Sequence, residues 1–509
     1  MSVWRHRSRR IRVLPLALLM ACCALPASAQ DPQRSNAAAL PSFSELRPGW
    51  NLLRPGGDTI CAQGGEYAFS VRPGARDKLL IWLEGGGACW NAEDCYPGRF
   101  YRPRIDLDPA SNSRNQGIFE QANPANPFSD YSTVVVRYCT GDIHLGDRDA
   151  TYTVRTDRGE SRQVTIHHRG QLNAMAVLRW VRENFSAPRE IFVSGTSAGS
   201  KPSPFYASLL ARHYPQARIV ALADAGGHRG LSLPAADTSH WGFPGVMRRH
   251  PGWERFPDNW EPSDFFITAA RMVPRLQLLQ VNHAYDGNAH FRLRQLGKLK
   301  HDTAEMLTLL RADQREIVRQ VPSFRFFTIG GMAHGALPQS PFYFYSTGGR
   351  RFRDWVADAA AGRPVASVDC IDCSRPELIF TERDLRILER ALALVSPPAK
   401  WNSADPPQRC GPNLDSHSLE CALAEAAHEI TGNATLIRIA GIWEVIYTVM
   451  GRMTAYLGQM DDQQSEPGTA PRLALRLFNN RPGTTAADVI RLLEEARDRI
   501  RADLSRKAK

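Results

Sequence analysis

The stretch from Arg189 to Lys201 constrains this chain more than any other. Ile191 to Val193 is a short run of β-branched and aromatic residues, which is typical of a buried strand. It leads directly into the block GTSAG at residues 195–199. This block fits the G-x-S-x-G pattern, in which a serine lies on a sharp turn between a strand and a helix. Small residues flank the serine because the turn is crowded, and the pattern predicts Ser197 as a nucleophile.

Two other interpretations of this block are a phosphate-binding P-loop and an ordinary turn rich in Gly and Ser. A P-loop needs glycine where Ser200 stands and Ser or Thr where Pro202 stands, so the sequence excludes it. The ordinary turn stays open on the evidence of these five residues alone. A histidine and an acidic residue at suitable positions elsewhere in the chain would favour the nucleophile over an ordinary turn.

Residues 1–29 have the features of an export signal. Five arginines precede an apolar run from Val13 to Leu25, and the small residues Ala27-Ser28-Ala29 form a cleavage site. The run is too short to cross a bilayer, so we expect no transmembrane segment. Ser8-Arg9-Arg10 weakly resembles a twin-arginine signal, and Cys22 is the alternative as a lipid-attachment site.

The charge of the chain argues against a nucleic-acid partner. The formal net charge of +11 falls to +6 once the signal is removed, because the signal carries five arginines and no acidic residue. No tract is dense in Lys and Arg, and a mild excess of this size supports at most weak attraction to acidic polymers. We therefore expect no nucleic acid among the partners.

The cysteine content agrees with export. Eight cysteines remain after the signal, an even number that predicts up to four disulfides in an exported protein. Two of them form a CxxC, but neither a zinc-spaced partner nor a thioredoxin-like setting accompanies it, so a structural disulfide is the better interpretation. We expect no metal site. The eight are Cys61, Cys89, Cys95, Cys139, Cys370, Cys373, Cys410 and Cys421.

The fold is predicted to be α/β, with a mostly parallel sheet and helices on both faces, because strand-like and helix-like stretches alternate. We expect this domain over residues 30–375, with residues 97–130 as a surface excursion rich in Asn, Pro, Ser and Arg. The predicted strands are Leu79–Glu84, Thr133–Tyr138, Ile191–Val193, Ile219–Leu222, Leu276–Val281 and Phe324–Ile329, with a helix at Leu172–Phe185.

A helical C-terminal region is predicted over residues 376–509. No internal repeat and no recognisable catalytic pattern occur in it, and Thr484 or Thr485 is a candidate N-cap for its last helix. The predicted helices are Asp384–Leu394, Ser418–Ile430, Leu436–Leu457 and Ala486–Leu504.

A serine nucleophile needs an imidazole to take its proton and a carboxylate to orient that imidazole. In α/β-hydrolases these follow the serine in the order acid, then histidine, each after a strand. Asp286 follows one predicted strand and His334 follows the last, beside Gly330, Gly331 and Gly335. His283 and His290 also border Asp286 and are rivals to His334.

Backbone amides must also hold the negative oxygen that forms during acyl transfer. The residue after the nucleophile, Ala198, supplies one amide. The glycine-rich segment from Glu84 to Cys89, directly after a predicted strand, is the natural source of the other. A plain tight turn is the alternative for this segment.

Together these residues resemble the pectin acetylesterase–Notum family of α/β-hydrolases. The resemblance covers about Cys61 to Leu337 and implies a triad of Ser197, Asp286 and His334. The blocks that carry it are WLEGGGACWNAEDC (82–95), VVRYCTGD (135–142), SGTSAG (194–199), ALADAGG (221–227) and HAYDGNAHF (283–291).

The resemblance also implies further roles. Gly86, Gly87 and Ala198 would form the oxyanion hole. Disulfides would join Cys89 to Cys95 and Cys61 to Cys139, leaving the four later cysteines to pair among themselves. Two positions depart from the family. Ser200 stands where the family has glycine, which would alter the mouth of the pocket, and Ala88 replaces an aromatic residue, which would change what packs there.

The expected function is a secreted serine esterase that needs no metal or organic cofactor. Its substrate is an acylated polysaccharide or a small ester, with acetate on a polymer such as pectin as the leading expectation. A carboxylesterase for longer acyl chains is the first alternative. A non-catalytic, exported envelope- or carbohydrate-binding protein on a hydrolase scaffold is the second, and it would be marked by loss of a triad member.

Overall fold

A computed structural model describes most of the chain. The residues it describes are 40–96, 100–107, 116–155, 160–233, 235–299, 303–397, 400–403, 415–431, 442, 445–446, 478–480 and 483–507. The predicted export signal (residues 1–29) and most of the predicted helix at 436–457 lie outside these ranges.

The strands of the described residues form one large sheet and two small ones. Runs of Val, Ile, Leu and Phe make up the central strands, as expected for strands buried on both faces. The strands are β1 (Asn51–Leu53), β2 (Phe69–Arg72), β3 (Ala75–Leu83), β4 (Tyr131–Val136), β5 (Arg148–Arg155), β6 (Ser161–His168), β7 (Glu190–Thr196), β8 (Arg218–Asp224), β9 (Gln277–His283), β10 (Arg325–Ile329), β11 (Tyr345–Thr347), β12 (Arg350–Arg351) and β13 (Glu377–Leu378).

The large sheet has the strand order β1-β2-β4-β3-β7-β8-β9-β10. From β4 to β10 all neighbouring strands run parallel, and β2 pairs antiparallel with both β1 and β4. Strands β5 and β6 form a separate hairpin, and β11 to β13 form a small antiparallel sheet. The chain therefore has the mostly parallel sheet with surrounding helices of an α/β-hydrolase-like fold, which confirms the prediction.

Helices follow most of the parallel strands. They are α1 (Ala92–Cys95), α2 (Gly170–Asn184), α3 (Ser203–His213), α4 (Ala235–Thr238), α5 (Gly245–Arg248), α6 (Pro262–Met272), α7 (Gly287–Gln295), α8 (Thr303–Gln320), α9 (Phe352–Ala360), α10 (Glu382–Val395), α11 (Leu419–Thr431) and α12 (Ala486–Lys507). Short 3-10 helices lie at Phe43–Glu45, Gly117–Phe119, Ser197–Gly199, Ser239–Trp241 and Ser340–Tyr343.

The predicted strands all occur, each within a few residues of its expected bounds. Near α12, Thr485 is the capping residue, since its hydroxyl accepts the amide of Asp488 and donates to the Asp488 carboxylate.

The prediction that residues 97–130 form a surface excursion is only partly correct. Ile118, Phe119 and Phe128 are buried and pack with Trp82 and other residues on one face of the sheet, because apolar side chains in this segment offset the cost of ordering it.

Each face of the large sheet has its own hydrophobic core. A further core lies within the C-terminal helices, and its buried residues all fall between Phe380 and Ile500. Leu388 of α10 and Leu423 of α11 are fully buried there, as is Leu493 of α12. No described helix is long and apolar enough to span a bilayer.

The structure contains the two disulfides that the resemblance implies, Cys61–Cys139 and Cys89–Cys95, and a third between Cys370 and Cys373. The first closes a 78-residue separation, which by the chain-entropy model stabilises the fold by about 4.5 kcal/mol. Cys421 is also disulfide-bonded, and Cys410 lies outside the described residues.

Candidate active site

The predicted site residues lie at one edge of the sheet, where the parallel strands end. Because the carboxyl ends of parallel strands share an edge, residues far apart in sequence meet there. The glycine-rich segment follows β3, Ser197 follows β7, Asp286 follows β9 and His334 follows β10. The register brings Leu83 beside Gly195, and Ile329 beside His283.

Ser197 lies on the sharp turn that its sequence pattern predicts. Its φ is +56°, a conformation that costs a non-glycine residue free energy and is characteristic of functional turns. The 3-10 helix at Ser197–Gly199 follows at once, and α3 begins at Ser203 with Pro204 in its first turn. Ser197 is partly exposed, whereas Ala198 and Gly199 are buried.

The crowding around the turn explains the two glycines of the pattern. A Cβ on Gly195 would lie 2.5 Å from the carbonyl oxygen of Gly199, and one on Gly199 would lie 2.1 Å from that of Leu83. Both distances are far below van der Waals contact, and both obstacles are backbone. Any side chain at either position would push β3 and β7 apart at the point where Ser197 is presented.

Asp286 and His334 are in direct contact. The Nδ1–H group of His334 donates to the Asp286 carboxylate, at 2.9 Å from Oδ1 and 2.8 Å from Oδ2. Asp286 also caps α7, because its Oδ1 accepts the amides of Asn288 and Ala289. These bonds fix the carboxylate, and the carboxylate in turn fixes the imidazole so that Nε2 is its unprotonated nitrogen.

The rival histidines hold other positions. His283 lies on β9 and is fully buried, with its ring 5.1 Å from that of Tyr345 in an edge-on arrangement. His290 lies on α7, where its backbone amide bonds the carbonyl of Asp286. Among the described residues, the imidazole that hydrogen-bonds the Asp286 carboxylate is that of His334.

The loop that carries His334 packs against the serine turn. A Cβ on Gly335 would lie 2.7 Å from Oγ1 of Thr196, the residue before the serine. The Nε2 atom of His334 is buried and has no hydrogen-bond partner among the described residues. A buried imidazole nitrogen without a partner costs free energy, so this atom marks the position as a candidate site.

The electrostatic environment favours a basic imidazole. Burial acts to lower the pKa of His334, but the charge of Asp286, its hydrogen bond and the charge of Asp224 together outweigh burial and raise that pKa above its ordinary value. Burial acts to raise the pKa of Asp286, but the neighbouring His334 outweighs this and lowers it. The pair therefore keeps the carboxylate ionised and the imidazole ready to hold a proton.

The glycine-rich segment is held by bonds that leave its amides available. Gly86 accepts the amide of Arg102, and Gly87 accepts the hydroxyl of Tyr138 at 2.9 Å. A Cβ on Gly85 would lie 3.1 Å from that of Ser197, so the segment lies against the serine. Among the described groups, none accepts a hydrogen bond from the amides of Gly86, Gly87 or Ala198.

Ser200 and Ala88, the two positions that differ from the family pattern, each make specific contacts. Ser200 is fully buried, and its hydroxyl donates to the carbonyl of Ser197 at 2.6 Å and lies 3.4 Å from that of Ala225. Its side chain therefore ties the serine turn to the loop after β8. The carbonyl of Ala88 accepts from the guanidinium of Arg292, which lies over the ring of Trp90.

The sequence analysis missed two buried aspartates next to the site, although both lie within blocks that carry the family resemblance, residues 135–142 and 221–227. Asp142 accepts the amides of Gly170 and His144, and His144 in turn bonds the carbonyl of Glu84 at the start of the glycine-rich segment. Asp224 ends β8 beside Thr196. The signal for Asp224 was available, since a carboxylate at the carboxyl end of a parallel strand lies at the edge where sites form.

Two clusters of potential metal-ligand atoms occur among the described residues. One combines Cys89, Cys95 and His168, and the other combines Asp369 with Cys370 and Cys373. The sulfurs of both clusters are in disulfides, whereas metal binding requires thiolates. With their sulfurs oxidised, neither of these two clusters offers the donor set of a metal centre.

The fold and this edge define the class as α/β-hydrolase-like, with a serine on a nucleophile-type turn. Comparison with known proteins gives matches to parts of the chain. Residues 54–250 match the family model described as Pectinacetylesterase, so the resemblance is confirmed for this segment, which contains Ser197 and the glycine-rich segment. The match supports a carbohydrate esterase. Asp286 and His334 lie beyond it.

Two curated relatives agree with the family. The chain is 24% identical over 178 residues to pectin acetylesterase 4 of Arabidopsis thaliana, covering 33% of this chain and 41% of that protein. It is 34% identical over 94 residues to the palmitoleoyl-protein carboxylesterase NOTUM of Schmidtea mediterranea, covering 17% of this chain and 18% of that protein. The chain thus spans less than half the length of both relatives.

The C-terminal helices match a different family. Residues 380–499 correspond to a model described as a family of unknown function (DUF6197). This range nearly coincides with the separate hydrophobic core of α10, α11 and α12.

Proposed function

We propose that this protein is an exported serine esterase that removes a short acyl group, acetate in the first instance, from a polysaccharide such as pectin. We also propose residues 30–375 as the esterase domain and residues 376–509 as an accessory helical region. The observation that carries the proposal is the buried Asp286–His334 pair, whose free Nε2 lies on a loop packed against the Ser197 turn.

The proposed reaction begins with proton transfer. Nε2 of His334 takes the proton of the Ser197 hydroxyl as Oγ attacks the ester carbonyl, and Asp286 stabilises the imidazolium that forms. The amides of Gly86, Gly87 and Ala198 hold the negative oxygen. As the ester C–O bond breaks, the imidazolium gives its proton to the departing sugar oxygen, which leaves as a hydroxyl, and an acyl-enzyme remains. Water, deprotonated by the same nitrogen, then attacks the acyl carbon, the bond to Oγ breaks, and the imidazolium returns its proton to Oγ, which releases the acid and restores the serine.

Two substrate classes compete within this mechanism. The family match and the Arabidopsis relative favour acetyl esters of a polysaccharide, whereas the planarian relative is named for a longer, fatty acyl group. A chain-length series of chromogenic esters, together with acetate release from a panel of acetylated polysaccharides, separates them. We expect acetate esters to be turned over fastest. Faster hydrolysis of octanoyl or longer esters would contradict the acetyl proposal and favour the carboxylesterase.

The pH dependence of kcat/KM should reveal the environment of His334. The imidazole must be neutral to accept the serine proton, and its pKa is raised in the fold. A raised pKa means that protonation, and loss of activity, begins at a higher pH as the solution is acidified. We expect the acidic limb of the profile to lie above the ordinary histidine value of about 6.5. A midpoint well below that value would contradict the assigned base.

A further inference from the structure

Asp224 is a fully buried carboxylate that the proposed reaction does not use. It is the last residue of β8, and the sheet register pairs it with Thr196, immediately before the serine. The loop behind it is held by Asn282, whose side-chain oxygen accepts the amides of Gly226 and Gly227 at 3.0 Å. Asp224 therefore has a fixed position directly beside the nucleophile turn.

The carboxylate of Asp224 holds the loop that carries His334. It accepts the amide of Ala336, at 3.0 Å from Oδ1 and 2.9 Å from Oδ2, and the amide of Leu337 at 3.0 Å. These are the second and third residues after the histidine. The side chain of Gln339 adds a bond to the carbonyl of His334 at 2.5 Å. The loop is thus tied back to the strand next to β7.

Asp224 also acts on His334 through its charge. After the contribution of Asp286, the negative charge of Asp224 further raises the pKa of the imidazole, whereas the positive charge of Lys201 acts to lower it. Burial raises the pKa of Asp224 itself to about 6, against the two amide bonds and the charge of His334, while Asp286 adds to the increase. At neutral pH the carboxylate is therefore mainly ionised, and its charge acts on the imidazole two residues before the loop amides that it accepts.

We propose that Asp224 is a positioning residue, a second carboxylate that fixes the His334 loop against the serine turn and stabilises the imidazolium. This inference rests on the proposed function for its kinetic consequences, but its structural and electrostatic parts do not. Asp224 touches neither the serine hydroxyl nor the acyl group in this account, and it acts through His334.

The decisive variant is Asp224→Asn. It keeps the shape of the side chain and one acceptor oxygen, but it removes the charge and places the asparagine NH2 group, a donor, against a backbone N–H. Loss of a charged hydrogen bond of this kind corresponds to about a 10- to 100-fold effect. We expect a decrease of that size in kcat for an acetate ester, little change in KM, and an acidic limb shifted to lower pH. The pKa of His334, measured by NMR of the ring Cε1–H and assigned with His334→Ala, should fall.

A matched control is Asp142→Asn. Asp142 is equally buried, accepts two backbone amides, and has a pKa that burial raises to about 6, like that of Asp224. Its loss should lower the thermal stability without moving the pKa of His334. If the two variants lose similar stability and neither moves that pKa, Asp224 is merely structural and the proposal is overturned.

A second variant covers the case in which Asp224→Asn does not fold. Asp224→Glu keeps the charge but lengthens the side chain, so we expect a reduced kcat with a nearly unchanged pKa of His334. Wild-type kcat in this variant would overturn the positioning role. Because the NMR titration needs no substrate, a wild type that hydrolyses no ester would reject the proposed function, while a fall of the His334 pKa in Asp224→Asn would still support the coupling.

Discussion

Replacement of Ser197 by alanine should reduce kcat for a chromogenic acetate ester by about a million-fold, to the level left by binding and oxyanion stabilisation. The reason is the loss of the only atom that the mechanism acylates. The substitution removes one oxygen from a partly exposed position, so the fold should stay intact. Steady-state kinetics with enzyme free of contaminating esterase, and thermal unfolding of both proteins, measure the two effects.

Ser194→Ala is the matched control for this substitution. Ser194 lies three residues earlier on β7, is fully buried, and donates its hydroxyl to the carbonyl of Leu222 at 2.6 Å. It should lose some stability and retain kcat within a small factor. Comparable activity in the wild type and in Ser197→Ala would remove the serine mechanism altogether.

Asp286→Asn should reduce kcat/KM by about 10³- to 10⁴-fold at neutral pH. The carboxylate accepts the Nδ1–H of His334 and keeps Nε2 available. An asparagine amide can instead donate to Nδ1, which places the proton on Nε2 and removes the base. It also removes the main charge that raises the pKa of His334, so the remaining activity should show an acidic limb at lower pH.

The control for Asp286→Asn is another buried aspartate far along the chain. Asp384 is the third residue of α10, is buried, and its carboxylate accepts the amide of the N-cap residue Thr381 at 2.8 Å. Asp384→Asn should affect stability and leave kcat/KM near the wild-type value. An Asp286→Asn variant that retained a tenth or more of the wild-type kcat/KM would contradict its role as the orienting carboxylate.

The central sheet was predictable because its physics is local. Runs such as Leu79 to Leu83 and Ile219 to Leu222 are apolar and β-branched, and strands buried on both faces need that composition. That Ser197, Asp286 and His334 lie at one edge of the sheet was also predictable, because each follows a parallel strand and the loops after parallel strands share one edge. Contact between Asp286 and His334 follows from the pairing of β9 with β10.

Other parts of the fold depend on contacts that no local pattern specifies. The hairpin of β5 and β6 was missed, although Ala150, Tyr152 and Val154 alternate with exposed residues as a half-buried strand requires. Asp224 was not singled out, because the amides that its carboxylate accepts belong to residues more than 110 positions away. Burial of Ile118 could not be inferred from a segment whose composition is typical of a loop.

For the C-terminal helices the sequence predicts the structure but not a function. Their bounds at α10, α11 and α12 agree closely with the helical periodicity of the sequence, because burial of one apolar stripe imposes that period. The separate core that they form matches a family without a described function. Periodicity identifies a helix that packs, and only a site identifies what a protein does.

The most direct test of the central claim is covalent labelling with a serine-reactive phosphonate, followed by peptide mapping in the mass spectrometer. We predict one adduct per chain, located on Ser197, absent from Ser197→Ala and greatly slowed in His334→Ala. Adducts at another serine, or a wild-type protein that stays unlabelled while hydrolysing an ester, would contradict the account.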